Sequence, residues 1–225
     1  MNLATKAVVY LVGSFFVLAL PMFLAAGTVA WAAGWIYLIL IFGWLAIGSV
    51  LLLKYNPSLL QERLSISQPN QKPSDKLFLA LYELFLFGWL VIMPLDAVRF
   101  RWSQMAGWLQ IVGALIMVVS FIIISLTFRE NTFLSPTVRI QDERGQTAIS
   151  TGPYRYVRHP MYAGGLLLFL GTPFLLGSWY GLLLFLLLIP LLASRILLEE
   201  RTLSKELQGY AEYMAQVKYH LVPYM

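Results

Sequence analysis

The stretch Gly152-Pro153-Tyr154-Arg155-Tyr156-Val157-Arg158-His159-Pro160-Met161-Tyr162-Ala163-Gly164-Gly165, continued by an apolar run to 177, sets two chemistries side by side. Two arginines, a histidine and three tyrosines abut the start of a hydrophobic helix. Pro160 suits the first turn of that helix, because the N–H it lacks is unpaired there in any case. The helix would then present its positive end beside Arg155, Arg158 and His159, a ready place for a carboxylate or phosphate. The plainer reading is that these side chains only snorkel to lipid headgroups.

Working outward, the apolar run is one of several. The spacing predicts six spans, at about 7–26, 30–53, 77–98, 107–128, 161–177 and 180–198, near the ~20 residues that cross a hydrocarbon core. The 225 residues are 59% hydrophobic and only 12% charged, with mean hydropathy +0.72. A soluble domain carries roughly a quarter charged residues. The expected fold is therefore all-α, a polytopic transmembrane helical bundle of five to six spans with a C-terminal cytoplasmic amphipathic helix. The run after Lys6, ending in Ala25-Ala26-Gly27, resembles a signal peptide but is read as a first membrane helix. Connections at 27–29 and 178–179 predict tight helical hairpins, the second interrupted by Pro173 and Gly177.

Charge placement predicts the orientation. With the N-terminus inside, fourteen of the sixteen Lys and Arg residues fall on the inner side, and only Arg99 and Arg101 fall outside. The net charge of +5 then reports topology and contact with anionic lipid, and nucleic acid is not an expected partner. Expected localisation is the inner or plasma membrane, with both termini cytoplasmic, as are the polar stretches that could form an active site. Without cysteine there is no disulfide, thiolate nucleophile or cysteine-ligated metal. Two histidines, His159 and His220, are too few for a di-iron or bis-histidine haem site, and no metal is expected.

The chain divides into residues 1–128, four spans with a cytoplasmic loop at 54–76, and 129–225, one integrated unit. The latter holds a binding loop, a helical hairpin at 161–198 and a lid helix. Polar stretches gather at one face: 54–76 with Asn56-Pro57…Glu62-Arg63, and 129–160 with Asn131, Pro136 and the turn Asp142-Glu143-Arg144-Gly145. Beyond Glu199, the apolar residues Leu203, Leu207, Tyr210, Met214, Val217 and Leu221 recur in steps of four and three. That spacing predicts one amphipathic helix ending near Pro223. Arg195, four residues before Glu199, is placed to pair with it and leave Glu200 free. The short hairpin should bring Arg158-His159 beside Glu199-Glu200, offering both signs of charge to a zwitterionic ligand. Glu83 lies at membrane depth, where a paired or functional role is the default. Asp96 and Arg99 read as a local ion pair, and Gly107, Gly113, Gly164 and Gly165 as close-packing positions.

Gly152-Pro153-Tyr154-Arg155, Arg158-His159-Pro160-x-Tyr162-x-Gly164, Glu199-Glu200 and Tyr210-x-x-Tyr213 before Pro223 together resemble the isoprenylcysteine carboxyl methyltransferases. These are integral membrane enzymes related to the phospholipid N-methyltransferases. The resemblance covers about 127–225, and the Asn56-Pro57…Glu62-Arg63 and Asp96-x-x-Arg99-Phe100 pieces look like its small bacterial branch. It implies methyl transfer from S-adenosyl-L-methionine to a lipophilic small-molecule or lipid-modified acceptor, with membrane lipids as surroundings. Carried over, Tyr154, Arg155, Arg158, His159, Pro160, Tyr162, Gly164, Glu199, Glu200, Tyr210 and Tyr213 would line the cofactor site. Arg158, Tyr162 and Glu200 are its catalytic candidates, with Glu200 taking the cofactor's amino group. The chain has His220 where many relatives carry arginine, and no basic residue from 107 to 128, where eukaryotic members carry one. Alternative readings are a phospholipid (phosphatidylethanolamine) N-methyltransferase, a sterol-reductase-like protein, and a small transporter or interaction protein.

Overall fold

The computed structural model describes residues 1–65, 73–135, 140–141 and 144–223, with the backbone alone at 73–77. Among the described residues the secondary structure is entirely helical. The long helices are α1 (Leu3–Ala26), α2 (Ala32–Tyr55), α4 (Pro73–Pro94), α5 (Gly107–Glu130), α6 (Pro160–Leu176) and α7 (Trp179–Glu206). Short helices α3 (Pro57–Arg63) and α8 (Tyr210–Gln216) complete the set.

The sequence stops and starts these helices by ordinary chemistry. Asn2 caps α1, its side chain accepting from Thr5 N at 2.8 Å, and Gly27 ends it at φ +71°. Asn56 both closes α2 and caps α3, accepting from Leu59 N at 3.2 Å, with Pro57 at the first turn. Pro160 opens α6 as expected. Gly177 (φ +79°) and Ser178 make the α6–α7 turn, and Ser178 Oγ accepts from Gly181 N at 2.9 Å.

Among the described residues five helices are long and apolar enough to cross a membrane, and α6, with 17 residues, is shorter. At 1.5 Å per residue it reaches roughly 25 Å. It nevertheless runs the length of the bundle, from Arg158 and His159 at one end to Gly177, which faces Gln110 and Ala97, at the other. It can be short because it is central. The large exposed apolar side chains lie on its neighbours, such as Val17, Leu24, Ile47, Leu84, Ile111 and Leu187, and none lies on α6. A helix apolar all round and enclosed by others needs no lipid-facing side.

The tightest crossing is α5 against α6. A Cβ on Gly113 would overlap the backbone of Gly171, Phe174 and Leu175, and one on Gly171 would strike Gly113 and Met117. Gly164 packs on Ile124, and its carbonyl accepts from Ser120 Oγ at 2.7 Å. Small residues let helices approach this closely without a hydrophobic drive. Gly107 and Gly165, read as packing positions, have nothing near their Cβ sites, whereas Gly171, which the sequence reading passed over, is at the contact.

Three other expectations change. Asp96 is fully buried but does not pair with Arg99. Its carboxylate accepts from Ser103 N (2.8 Å), Ser103 Oγ (2.7 Å) and Ser178 Oγ (2.6 Å). Arg99 donates to Leu24 O at 3.2 Å instead. The reason is a π-helical segment, Leu95–Phe100, after Pro94, which turns Asp96 inward. Glu83 lies on the exposed surface of α4, away from any described charge partner. The amphipathic helix is split: its first turns extend α7 to Glu206, Gly209 (φ +80°) breaks the chain, and α8 takes the rest. Pro136, Arg139, Asp142 and Glu143 lie outside the described residues.

Candidate active site

At the end of the bundle opposite Asp96, the turn before α6, the tail of α7, α8 and the loop after α5 enclose a cavity of about 230 Å³. Its polar wall carries Asn131, Tyr154, Arg158, His159, Tyr162, Arg195, Glu199, Tyr210 and Tyr213. Its apolar wall includes Phe133, Leu134, Met161, Leu203 and Leu207.

Two consecutive glutamates on α7 point about 100° apart, as helical geometry requires. Glu199 faces the cavity and accepts from Tyr162 OH at 2.7 Å. Glu200 faces away from it, into a buried charge cluster. One oxygen, Oε1, receives Arg158 Nε at 2.7 Å, His159 Nε2 at 2.9 Å and His220 Nδ1 at 3.3 Å. The Arg158 approach is an ion contact, since its N–H does not align as a hydrogen bond. A neutral His220 serves both neighbours: Nδ1–H toward Glu200, with Nε2 accepting from Arg158 Nη2 at 2.6 Å. This tautomer is assigned from those partners. His220 thus stands against the same carboxylate and guanidinium that an arginine there would have to accommodate.

The cluster also holds the chain's last segment. Arg158 N donates to Tyr219 O and His159 N to His220 O, each at 2.9 Å, and Arg158 Nη1 reaches Val217 O at 3.3 Å. Residues 217–220 therefore strap the turn that launches α6. On the cavity side Tyr213 OH donates to Tyr154 O at 2.8 Å, and Asn131 Nδ2 donates to Tyr154 OH at 2.9 Å. Tyr210 differs from the other tyrosines. Its hydroxyl is buried on the cavity wall with no hydrogen-bond partner among the described residues. Burial first, and then the charges of Glu200 and Glu199, push its phenol well above the ordinary tyrosine range. Burial does the same to Tyr154 and Tyr213. All three stay neutral hydroxyls at any working pH.

Of the residues singled out from sequence, Tyr154, Arg158, His159, Tyr162, Glu199, Tyr210 and Tyr213 share the cavity wall. Arg155 is exposed, Pro160 and Gly164 are buried in the body of α6, and Glu200 is enclosed in the ion cluster. Arg195, expected to pair with Glu199, lines the cavity beside it, and its guanidinium also lies over the Phe78 ring at 4.9 Å. Arg63 of α3, read from sequence as part of a polar stretch and given no role at the site, also reaches the wall. Its signal lay in the Asn56-Pro57…Glu62-Arg63 piece.

His159, Glu200 and His220 bring possible metal-ligand atoms within 4.8 Å of one another. The Arg158 guanidinium already occupies the shared oxygen, so a metal ion there would have to displace a buried cation. An organic zwitterion fits the cavity better: it offers carboxylate, guanidinium and an unspent phenol.

Comparison with known proteins bears on this wall. Residues 104–209 match the phospholipid methyltransferase family. The matched segment opens before α5 and closes at the break between α7 and α8, so it includes both glutamates and the turn of Arg158 and His159. It agrees with the kinship to phospholipid N-methyltransferases read from the sequence. The family is one of methyltransferases, which supports an enzymatic role, and the apolar helices suit an integral membrane protein. No curated protein matches the chain.

Proposed function

We propose that the protein is a membrane methyltransferase dependent on S-adenosyl-L-methionine, acting on a lipophilic acceptor in the manner of isoprenylcysteine carboxyl O-methyltransferases. One observation carries the reading: the cavity wall formed within and just beyond the matched segment offers Glu199, Arg195 and the unpartnered Tyr210 hydroxyl to one ligand. When bound, the cofactor supplies a methyl group on a sulfonium, and its amino-acid portion carries both signs of charge.

The chain's residues divide the remaining work. Glu199, held by Tyr162, is the carboxylate available for an ammonium group, and the Tyr210 hydroxyl donates to an acceptor atom of the ligand. Glu200 acts indirectly, by fixing Arg158, His159 and the strap. This transfers to Glu199 the direct contact that the family resemblance gives to Glu200. Phe133, Leu134 and Leu203 keep water out, and a water-poor site favours a reaction in which opposite charges cancel. Holding donor and acceptor in line is the main contribution, and such positioning can supply roughly 7–11 kcal/mol. An ionised carboxylate acceptor needs no base.

A phospholipid N-methyltransferase is the second reading, favoured by the description of the matched family itself. An amine acceptor must lose a proton, and Glu199 or His159 is placed on the wall to take it. Binding of S-adenosylhomocysteine to the purified protein, followed by labelled methyl transfer into lipid extracts, tests both. No binding rejects the methyltransferase reading. Label recovered as a base-labile ester selects O-methylation, and label in an amine headgroup selects N-methylation.

A further inference from the structure

Arg63 is not explained by the cofactor site. It stands at the end of α3, outside the family match, yet it shares the cavity wall with Glu199 and Tyr162. Its guanidinium lies over the Phe128 ring at 5.1 Å. Among the described residues it makes no hydrogen bond and no ion pair. Burial lowers its pKa, with nearby Tyr10 and Glu62 pulling the other way. A half-buried guanidinium has five donors to satisfy, and leaving them unmet in a sheltered site is costly.

The position is also built. Leu59 and Leu60 of α3 are buried. Asn56 caps the helix, and Glu62 Oε1 accepts from Ser135 Oγ at 2.9 Å. Arg144, which holds the loop after α5 through Gln141 Oε1 and Thr132 O, also donates to Ser58 Oγ at 3.2 Å. Arg63 is therefore aimed by a helix pinned at both ends, not carried on a loose loop.

Resting on the methyltransferase reading, we propose that Arg63 anchors the acidic head group, carboxylate or phosphate, of the lipophilic acceptor. Two observations favour the acceptor over the cofactor. The donor is common to a methyltransferase family while acceptors vary, and Arg63 lies outside the matched segment that carries Glu199 and the turn of Arg158 and His159. Arg63 also lies over the Phe128 ring, on the side of the cavity toward α5, and α5 and the neighbouring α1 expose apolar side chains on their outer faces. An amphiphile arriving from the bilayer meets that side first. Guanidinium is suited to both oxyanions through its planar fork.

The test uses full-length protein in uncharged detergent, with dodecanoate and dodecyl phosphate as probes and dodecanol as the uncharged control. S-adenosylhomocysteine affinity is measured in parallel. Wild type should bind at least one anionic probe 10-fold or more tightly than dodecanol. Arg63→Gln should abolish that preference, Arg63→Lys should restore part of it, and all three should bind S-adenosylhomocysteine within twofold. The two probes separate a carboxylate acceptor from a phosphate one. The inference is overturned if wild type shows no anion preference, or if Arg63→Gln keeps it. It is equally overturned if Arg63→Gln weakens S-adenosylhomocysteine as much as the probe, which would give Arg63 to the cofactor. Failure of wild type to bind S-adenosylhomocysteine would instead reject the methyltransferase reading.

Discussion

Replacing Glu200 by glutamine separates a residue that supports the cavity from one that lines it. The change keeps size and shape but removes the anion that contacts Arg158, His159 and His220 at 2.7, 2.9 and 3.3 Å. Arg158 is 8% exposed, so its charge is left nearly dry. Removing one partner of such a pair costs about 3–5 kcal/mol. The lower end applies here, because Val217 O and His220 still accept from the guanidinium and His220 is half open to solvent. At roughly 2–4 °C per kcal/mol for a chain of this size, Glu200→Gln should lower the melting temperature by roughly 6–12 °C. Loss of S-adenosylhomocysteine affinity should follow from loosening of the strap. Glu199→Gln should show the opposite pattern. Its carboxylate accepts from Tyr162 and faces the cavity beside Arg195, so melting should fall by less than for Glu200→Gln. Loss of a charged hydrogen bond to an ammonium, about 1.5–3 kcal/mol, should weaken binding roughly 10- to 150-fold. Melting curves in one detergent and calorimetric titration read both quantities. The reasoning is refuted if Glu200→Gln melts like wild type while Glu199→Gln unfolds early.

Tyr210→Phe removes a buried hydroxyl that has no hydrogen-bond partner among the described residues. Melting temperature should hold or rise, since an unsatisfied buried polar group costs about 1–3 kcal/mol, while S-adenosylhomocysteine binding weakens by about fivefold. Gly113→Ala forces a methyl into the α6 backbone and should destabilise by at least about 1–3 kcal/mol. Gly165→Ala, with open space at its Cβ, should be neutral or gain up to ~1 kcal/mol; paired melting curves check the contrast. Asp96→Asn should lower the melting temperature by weakening the acceptor of Ser103 and Ser178, with S-adenosylhomocysteine affinity unchanged because the site lies at the other end of the bundle.

The helices were legible because long apolar runs broken by Asn56-Pro57, Gly177-Ser178 and His159-Pro160 leave little choice of boundary. The meeting of Arg158-His159 with Glu199-Glu200 was legible from the short hairpin, which returns α7 to the start of α6. The choice between the two glutamates was not. Adjacent residues on a helix differ by a rotation whose origin is set by packing, and only the buried cluster fixes which of them turns inward. Asp96 was misread for a related reason. A spacing of three suggests a pair on an α-helix, but the π-helical turn after Pro94 changes the rotation at that point. The break at Gly209 was masked by an apolar stripe that continues across it.

On the proposed function, the division of the chain follows from the solubilities of two reactants. A polar donor would reach the site from water and a lipophilic acceptor from the bilayer, so the pocket would stand where the bundle meets both. The matched segment supplies the turn of Arg158, the carboxylate of Glu199 and the central helix α6, the parts assigned to the donor in the proposed function. The helices outside it shield α6 on its remaining sides and, through α3, reach back to the cavity with one cation. Glu62 and Ser135 hold that reach in place across the boundary of the match. Exchanging α3 for another sequence should therefore change what is methylated before it changes whether the donor binds, and separate measurements of donor affinity and acceptor preference on such a chimera would reveal the order.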